Sequence, residues 1–120
     1  MLEVTVSAGD GQVVVEAAGD IDMFIAQRLR DALQSAVRIA GTGSVVVDLG
    51  RVPFMDSTGV QALVDGYHTA MVAGGTLTVR GAHGSPARVV HLVGLARLLG
   101  VESPQHDADG PAPRDAERPG

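Results

Sequence analysis

The feature that most constrains this chain is Ser44–Leu49, SVVVDL, a nearly unbroken apolar run that follows glycines and lies between two segments of helical periodicity. So short a run, rich in β-branched residues, reads as a strand, and its lack of alternation suits a central strand covered on both faces. Before it, Ile25, Leu29, Leu33, Ala36 and Ala40 recur at helical spacing, while Arg28, Asp31, Gln34 and Arg38 fall on other faces. Asp22 is placed to cap this helix, and Gly41 and Gly43 to end it. After it, Val60, Leu63, Val64, Tyr67 and Met71 form a second apolar stripe, which stops at Gly74-Gly75.

The flanking segments extend the pattern. Residues 2–7 and 12–18 read as strands joined by the turn signal GDG, with VVVEA apolar enough for a sheet interior. TLTVR alternates as a strand should. SPARVVHLVGLARLLGV begins with Ser85 as N-cap and Pro86 at the first helical position. Gly94 breaks that helix and leaves a short final element around Leu95–Leu99. The order β-β-α-β-α-β-α implies an α/β fold, with crossover helices packed on a mixed sheet. Four to five strands and three to four helices are expected, in one domain over residues 1–102.

Beyond Val101 the composition changes. Residues 103–120 hold four of the six prolines, many charges and no large aliphatic side chain. Such a segment cannot bury enough apolar surface to offset its ordering entropy, so a disordered tail is expected.

Composition narrows the function. With 120 residues, two Phe, one Tyr and no Trp, the core has to be aliphatic. The absence of Cys excludes disulfides, thiolate metal sites and a cysteine nucleophile, and fits a reducing cytoplasm. The N-terminal residues lack a basic segment followed by an apolar one, so no secretory signal is expected. No stretch of about 18 apolar residues occurs, so no membrane insertion is expected. Every positive charge is Arg and the net charge is −5, a poor basis for nucleic-acid binding. Without Lys there is no phosphate-binding Gly-Lys pair. A protein partner is the expected target.

The chemistry concentrates at Met55-Asp56-Ser57-Thr58-Gly59, where the central strand turns into the second helix. Thr58 and Gln61 match the Ser/Thr-x-x-Gln capping box, which assigns the cap to Thr58 and leaves the Ser57 hydroxyl uncommitted just outside the helix. Gly59 would let a partner approach the backbone. Simple capping explains the same residues and is common at such positions. A phosphoryl group on Ser57 would add about −1.5 to −2 charges beside Asp56 and alter an interface rather than the fold. Met23, Phe24 and Met55 flank the corner, either as core filling or as the apolar rim of a partner surface. His68, His83, His91 and His106 lack metal-ligand spacing, and Ser57 lacks the Gly-x-Ser-x-Gly elbow of a hydrolase. Asp48 reads as the end of its strand, its carboxylate meeting solvent or backbone donors, with an acid–base role as the alternative.

GDID before the first helix, VVVDLGRVPFMDSTGVQALV, and GGTLTVRGAHGSPARVVHLVGLARLLGV together resemble a STAS domain, and in particular the bacterial anti-sigma factor antagonists. The resemblance spans residues 2–101. It implies that Ser57 is the phosphoacceptor of an anti-sigma factor that is itself an ATP-dependent serine kinase. Asp56 would help place the hydroxyl, Asp20 and Asp22 would form an acidic loop nearby, and Thr58 and Gly59 would match the small, polar helix start. Val60 stands where Leu is common. In such a system the unmodified antagonist binds the anti-sigma factor and frees the sigma factor. Phosphorylation breaks that complex and a serine phosphatase restores it. The antagonist is then not an enzyme, and it needs no cofactor, since Mg-ATP belongs to the partner kinase. A non-switching STAS adaptor of a lipid or anion transport system is the alternative.

Overall fold

The computed structural model describes residues 3–9 and 11–92, with the side chain of Leu92 excepted. The expected tail and the element around Leu95–Leu99 lie outside these residues. Strands β1 (Glu3–Gly9), β2 (Gln12–Ala18), β3 (Ser44–Arg51) and β4 (Thr76–Arg80) alternate with helices α1 (Ala26–Ala40), α2 (Ser57–Val72) and α3 (Gly84–Leu92) after the opening hairpin. They form one sheet in the order β1-β2-β3-β4. β1 pairs antiparallel with β2, and β2–β3 and β3–β4 are parallel. The parallel pairs are joined by the segments that carry α1 and α2, as parallel strands require.

Register builds the core. Val13, Val45 and Leu77 are aligned across three strands, and Val15, Val47 and Val79 form the next row. These rows meet Leu29, Leu33 and Leu63 of the helices in one buried cluster. Each fully buried Leu contributes about 1.5–3 kcal/mol relative to exposure, so an aliphatic core without Trp suffices.

The opposite face of the sheet differs from the sequence expectation. It carries Thr5, Ser7, Glu16, Asp48, Thr78 and Arg80, all exposed or half-buried. Among the described residues, β3 is therefore central but has helices on one face only. Val46, on the open face, is shielded to 8% exposure yet stands apart from the core cluster. Asp48 and Arg80 are register neighbours there and form an ion pair at 3.1 Å.

The second helix packs on a wider stripe than expected. Val60 and Leu63 are buried and Val64 and Tyr67 pack against the core, but Met71 is 53% exposed, and the small residues Gly59, Ala62, Gly66 and Ala70 also face inward. A Cβ on Gly66 would lie 3.1 Å from both Leu33 Cδ1 and Leu77 Cδ1, so small residues set the close approach of α2. At the third helix, Gly84 precedes the expected start. Ser85 and Pro86 sit within the first turn, where a missing N–H costs no helical hydrogen bond.

Candidate functional site at the carboxyl ends of the parallel strands

The loops that follow β2, β3 and β4 all emerge at the carboxyl edge of the parallel strands, where open α/β sheets place their sites. The turn from β3 begins with a bulge. Glu16 pairs with Asp48 but Ala18 pairs with Arg51, which leaves one extra residue on β3. Asp48 spans it, its Oδ1 accepting the Gly50 N–H at 2.8 Å and its Oδ2 accepting from Arg80 Nε at 3.1 Å. The Gly50 N–H, helped by the Arg80 guanidinium and opposed by partial burial, holds the Asp48 carboxyl below its usual range. Asp48 is a structural carboxylate at the bulge, and β3 runs past its expected end there to Arg51.

Past the bulge, the chain runs beside the loop that leaves β2. Gly19 N–H donates to Arg51 O at 3.0 Å, Ile21 N–H to Phe54 O at 2.9 Å, and Asp56 N–H to Ile21 O at 3.2 Å. Ile21 and Met55 form a parallel bridge, both fully buried. This clamp joins the acidic loop, with Asp20 exposed and Asp22 half-buried, to the Asp56-Ser57 corner.

Asp22 caps a lead-in turn rather than α1 itself. Its Oδ1 accepts the N–H groups of Phe24 at 3.0 Å and Ile25 at 3.1 Å, and regular helix begins at Ala26 after Ile25. That turn holds Met23 and Phe24 outward, 64% and 83% exposed. These two belong to the surface. Met55 belongs to the core, so its expected place on a partner-facing rim is corrected.

The cap of α2 is also corrected. Asp56, not Thr58, is the N-cap, with extended backbone at ψ −173°. Its Oδ1 accepts the Thr58 N–H at 3.0 Å and, through a short contact, the Thr58 hydroxyl. Gln61 donates to Asp65 at 3.0 Å, so the capping box is not formed. The Thr58 hydroxyl is the main cause that lowers the Asp56 pKa. Desolvation opposes it, and the N–H groups of Thr58, Gly59 and Met23 add to the lowering. Asp beats Thr here because a carboxylate also favours the positive end of the helix dipole.

Ser57 is therefore the first residue of α2, exposed, and its hydroxyl has no hydrogen bond among the described residues. Asp56 does not hold that hydroxyl, since its contacts go to Thr58. Gly59 is buried rather than open to a partner. A Cβ there would come within 2.5 Å of Met55 Cγ and 2.9 Å of Ile21 Cγ2. Its small size serves the clamp beneath the corner.

Phe54 is an apolar surface residue that pattern reading passes over. It is 44% exposed on the clamped segment next to the corner. The available signal is a large apolar residue after Pro53, outside any periodic element. The site thus combines carboxylates, exposed apolar side chains and one uncommitted hydroxyl. Neither His68 nor His83 contacts Ser57: His68 stacks edge-on to Tyr67, and His83 meets Gly50 O at 3.1 Å.

A family model described as "Mlab, STAS domain" matches residues 4–100. The chain belongs to the STAS domain family. Among named relatives, this STAS domain is 30% identical over 114 residues to the anti-sigma-F factor antagonist RsfB of Mycobacterium tuberculosis, covering 89% of this chain and 86% of RsfB. The crystal structure of an anti-sigma factor antagonist from Mycobacterium paratuberculosis superposes with TM-score 0.72 at 28% identity, over 90% of this chain and 91% of the other. The antagonist SpoIIAA in its unphosphorylated form shares the fold at TM-score 0.66 and 18% identity, over 89% and 94% of the two chains. Among the described residues of this STAS domain, no helix is long and apolar enough to cross a membrane.

Proposed function

We propose that this protein is an anti-sigma factor antagonist whose binding is switched at Ser57. The observation that carries the reading is the exposed Ser57 hydroxyl, free of hydrogen bonds among the described residues, at the start of α2 beside the Asp56 carboxylate. A hydroxyl to which no base is hydrogen-bonded is a poor nucleophile for its own chemistry, yet it is open to the active site of another enzyme. The unmodified protein docks on an anti-sigma factor and displaces the sigma factor, so the protein acts in transcription regulation by binding rather than catalysis. The anti-sigma factor, acting as a serine kinase with its own Mg-ATP, transfers a phosphoryl group to Ser57. A serine phosphatase removes it. The sites of action are cytoplasmic.

Charge explains why modification would end binding. The N–H groups of Thr58, Gly59 and Val60 are already bonded to Asp56, so the helix start offers a phosphoryl group little direct compensation. The added charge of about −1.5 to −2 stands next to Asp56 and faces the docking partner. The clamp beneath it does not involve the Ser57 side chain, so the fold survives the change.

The second reading is a non-switching STAS adaptor of a lipid or anion transport system, which would use the same exposed corner for docking. Incubation with the cognate anti-sigma factor and Mg-ATP separates the two. One phosphate mapping to Ser57 by mass spectrometry, and none on a Ser57→Ala variant, is expected. Phosphate accepted equally by Ser57→Ala would refute the site.

A further inference from the structure

We propose that β1 is a self-association edge, joining a second copy of this chain antiparallel about a two-fold axis through Val6. Among the described residues β1 pairs with β2 alone, and six of its seven residues are exposed. Gly9 and Gln12 close the hairpin. Counting back from that hydrogen-bonded pair, the backbone groups of Ser7, Thr5 and Glu3 face β2, and those of Val4, Val6 and Ala8 point out of the sheet. Exposed edges of this kind are normally blunted by Lys, Pro or a bulge. EVTVSAG has none of these, and its pairing with β2 is regular throughout.

The strand is also complementary to itself. An antiparallel pair centred on Val6 sets Val4 against Ala8, Thr5 against Ser7 and Glu3 against Gly9. The outward groups then form about six hydrogen bonds. The single charge of β1, Glu3, meets a glycine instead of its own copy. Valine and alanine lie on the face shared with Val15 and Ala17, so the partner strand covers Val6, which is 38% exposed in the single chain. Centring the pair on Val4 or Ala8 shortens the overlap. Centring it on Thr5 or Ser7 still pairs outward groups with one another but shortens the overlap as well, to about four hydrogen bonds. One register is therefore favoured, the isologous arrangement of a two-fold dimer.

Pairing at this edge leaves the Ser57 corner free, because that corner follows β3, two strands inward. The strands run antiparallel, so the two corners lie at opposite ends of the joined sheet.

Sedimentation of the full chain should show a mass that doubles with rising concentration, and Val6→Lys should abolish the dimer by placing two ammonium groups face to face. The chain has no Cys, so single-cysteine variants report the register. Val6→Cys should crosslink to itself on mild oxidation, since the paired Cα atoms would lie about 5.5 Å apart, within disulfide reach. Thr5→Cys should not, because its own copy lies diagonally beyond about 7 Å. The cysteine pair decides the matter even if Val6→Lys fails to fold. A monomer at every concentration, a monomer that instead captures an extended segment of another protein, or equal crosslinking of Thr5→Cys and Val6→Cys would overturn the proposal.

Discussion

Asp56 binds both the backbone N–H and the hydroxyl of Thr58, leaving the hydroxyl of Ser57, the residue between them, unbonded among the described residues. Structural and exposed roles are thus divided between adjacent side chains. Asp56→Ala should lower stability by about 1 kcal/mol, as loss of an N-cap does. Ser57→Ala should change it by no more than about 0.5 kcal/mol, as expected for an exposed position without partners. Urea unfolding midpoints of the two variants check the division.

Acid should destabilise the protein through Asp48 and Asp56. Both carboxyls have folded pKa values below normal. The unfolded chain therefore binds more protons near its carboxylate pKa of about 3.9, and stability rises with pH there. Their contribution is complete above that pKa and is lost as pH falls through the depressed folded values. Urea unfolding from neutral pH downward should show this fall, and Asp56→Asn should flatten it.

Two glycines of α2 should respond differently to alanine. At Gly59 the new Cβ would lie 2.5 Å from Met55 Cγ, inside a fully buried clamp. Overpacking costs of about 1–3 kcal/mol outweigh the gain of about 1 kcal/mol in helix propensity. At Gly66 the nearest atoms are Leu Cδ1 groups at 3.1 Å, which can shift by a few tenths of an ångström. Gly66→Ala should therefore lie near neutrality. Thermal melts of both variants test the contrast.

Phe24 should matter to binding and not to folding. At 83% exposure it has little to lose within the monomer, whereas aromatic residues dominate the energy of interfaces. Phe24→Ala should leave the unfolding midpoint unchanged and weaken binding to the anti-sigma factor at least about tenfold, equivalent to about 1.4 kcal/mol. Calorimetric titration reads both.

The strands and helices were legible because their patterns are local. Val13 to Val15, Val45 to Val47 and the Leu29–Leu33 spacing each announce an element. Less legible was anything decided by packing between elements. Gly66 and Ala70, rather than Met71, face the core because α2 approaches the sheet closely, and no periodicity weighted toward large residues finds that stripe. The one-sided cover of β3 was hidden for a similar reason, since three consecutive valines look alike on both faces. At the corner, Ser57 stood out from its surroundings in the sequence. The cap did not, because Asp56, Ser57 and Thr58 are all good capping residues and only backbone geometry selects among them. Met55 and Gly59 resemble surface contacts in sequence, and become core once Ile21 is seen to bridge Met55.

The most direct test of the central claim is the affinity of the anti-sigma factor for the unmodified protein and for the protein phosphorylated at Ser57, measured by calorimetry under one set of conditions. Tight binding of the unmodified form, reduced at least about a hundredfold, or 2.7 kcal/mol, by one phosphate at Ser57 with the melting temperature unchanged, is the expected result. Equal affinity of the two forms would contradict the account.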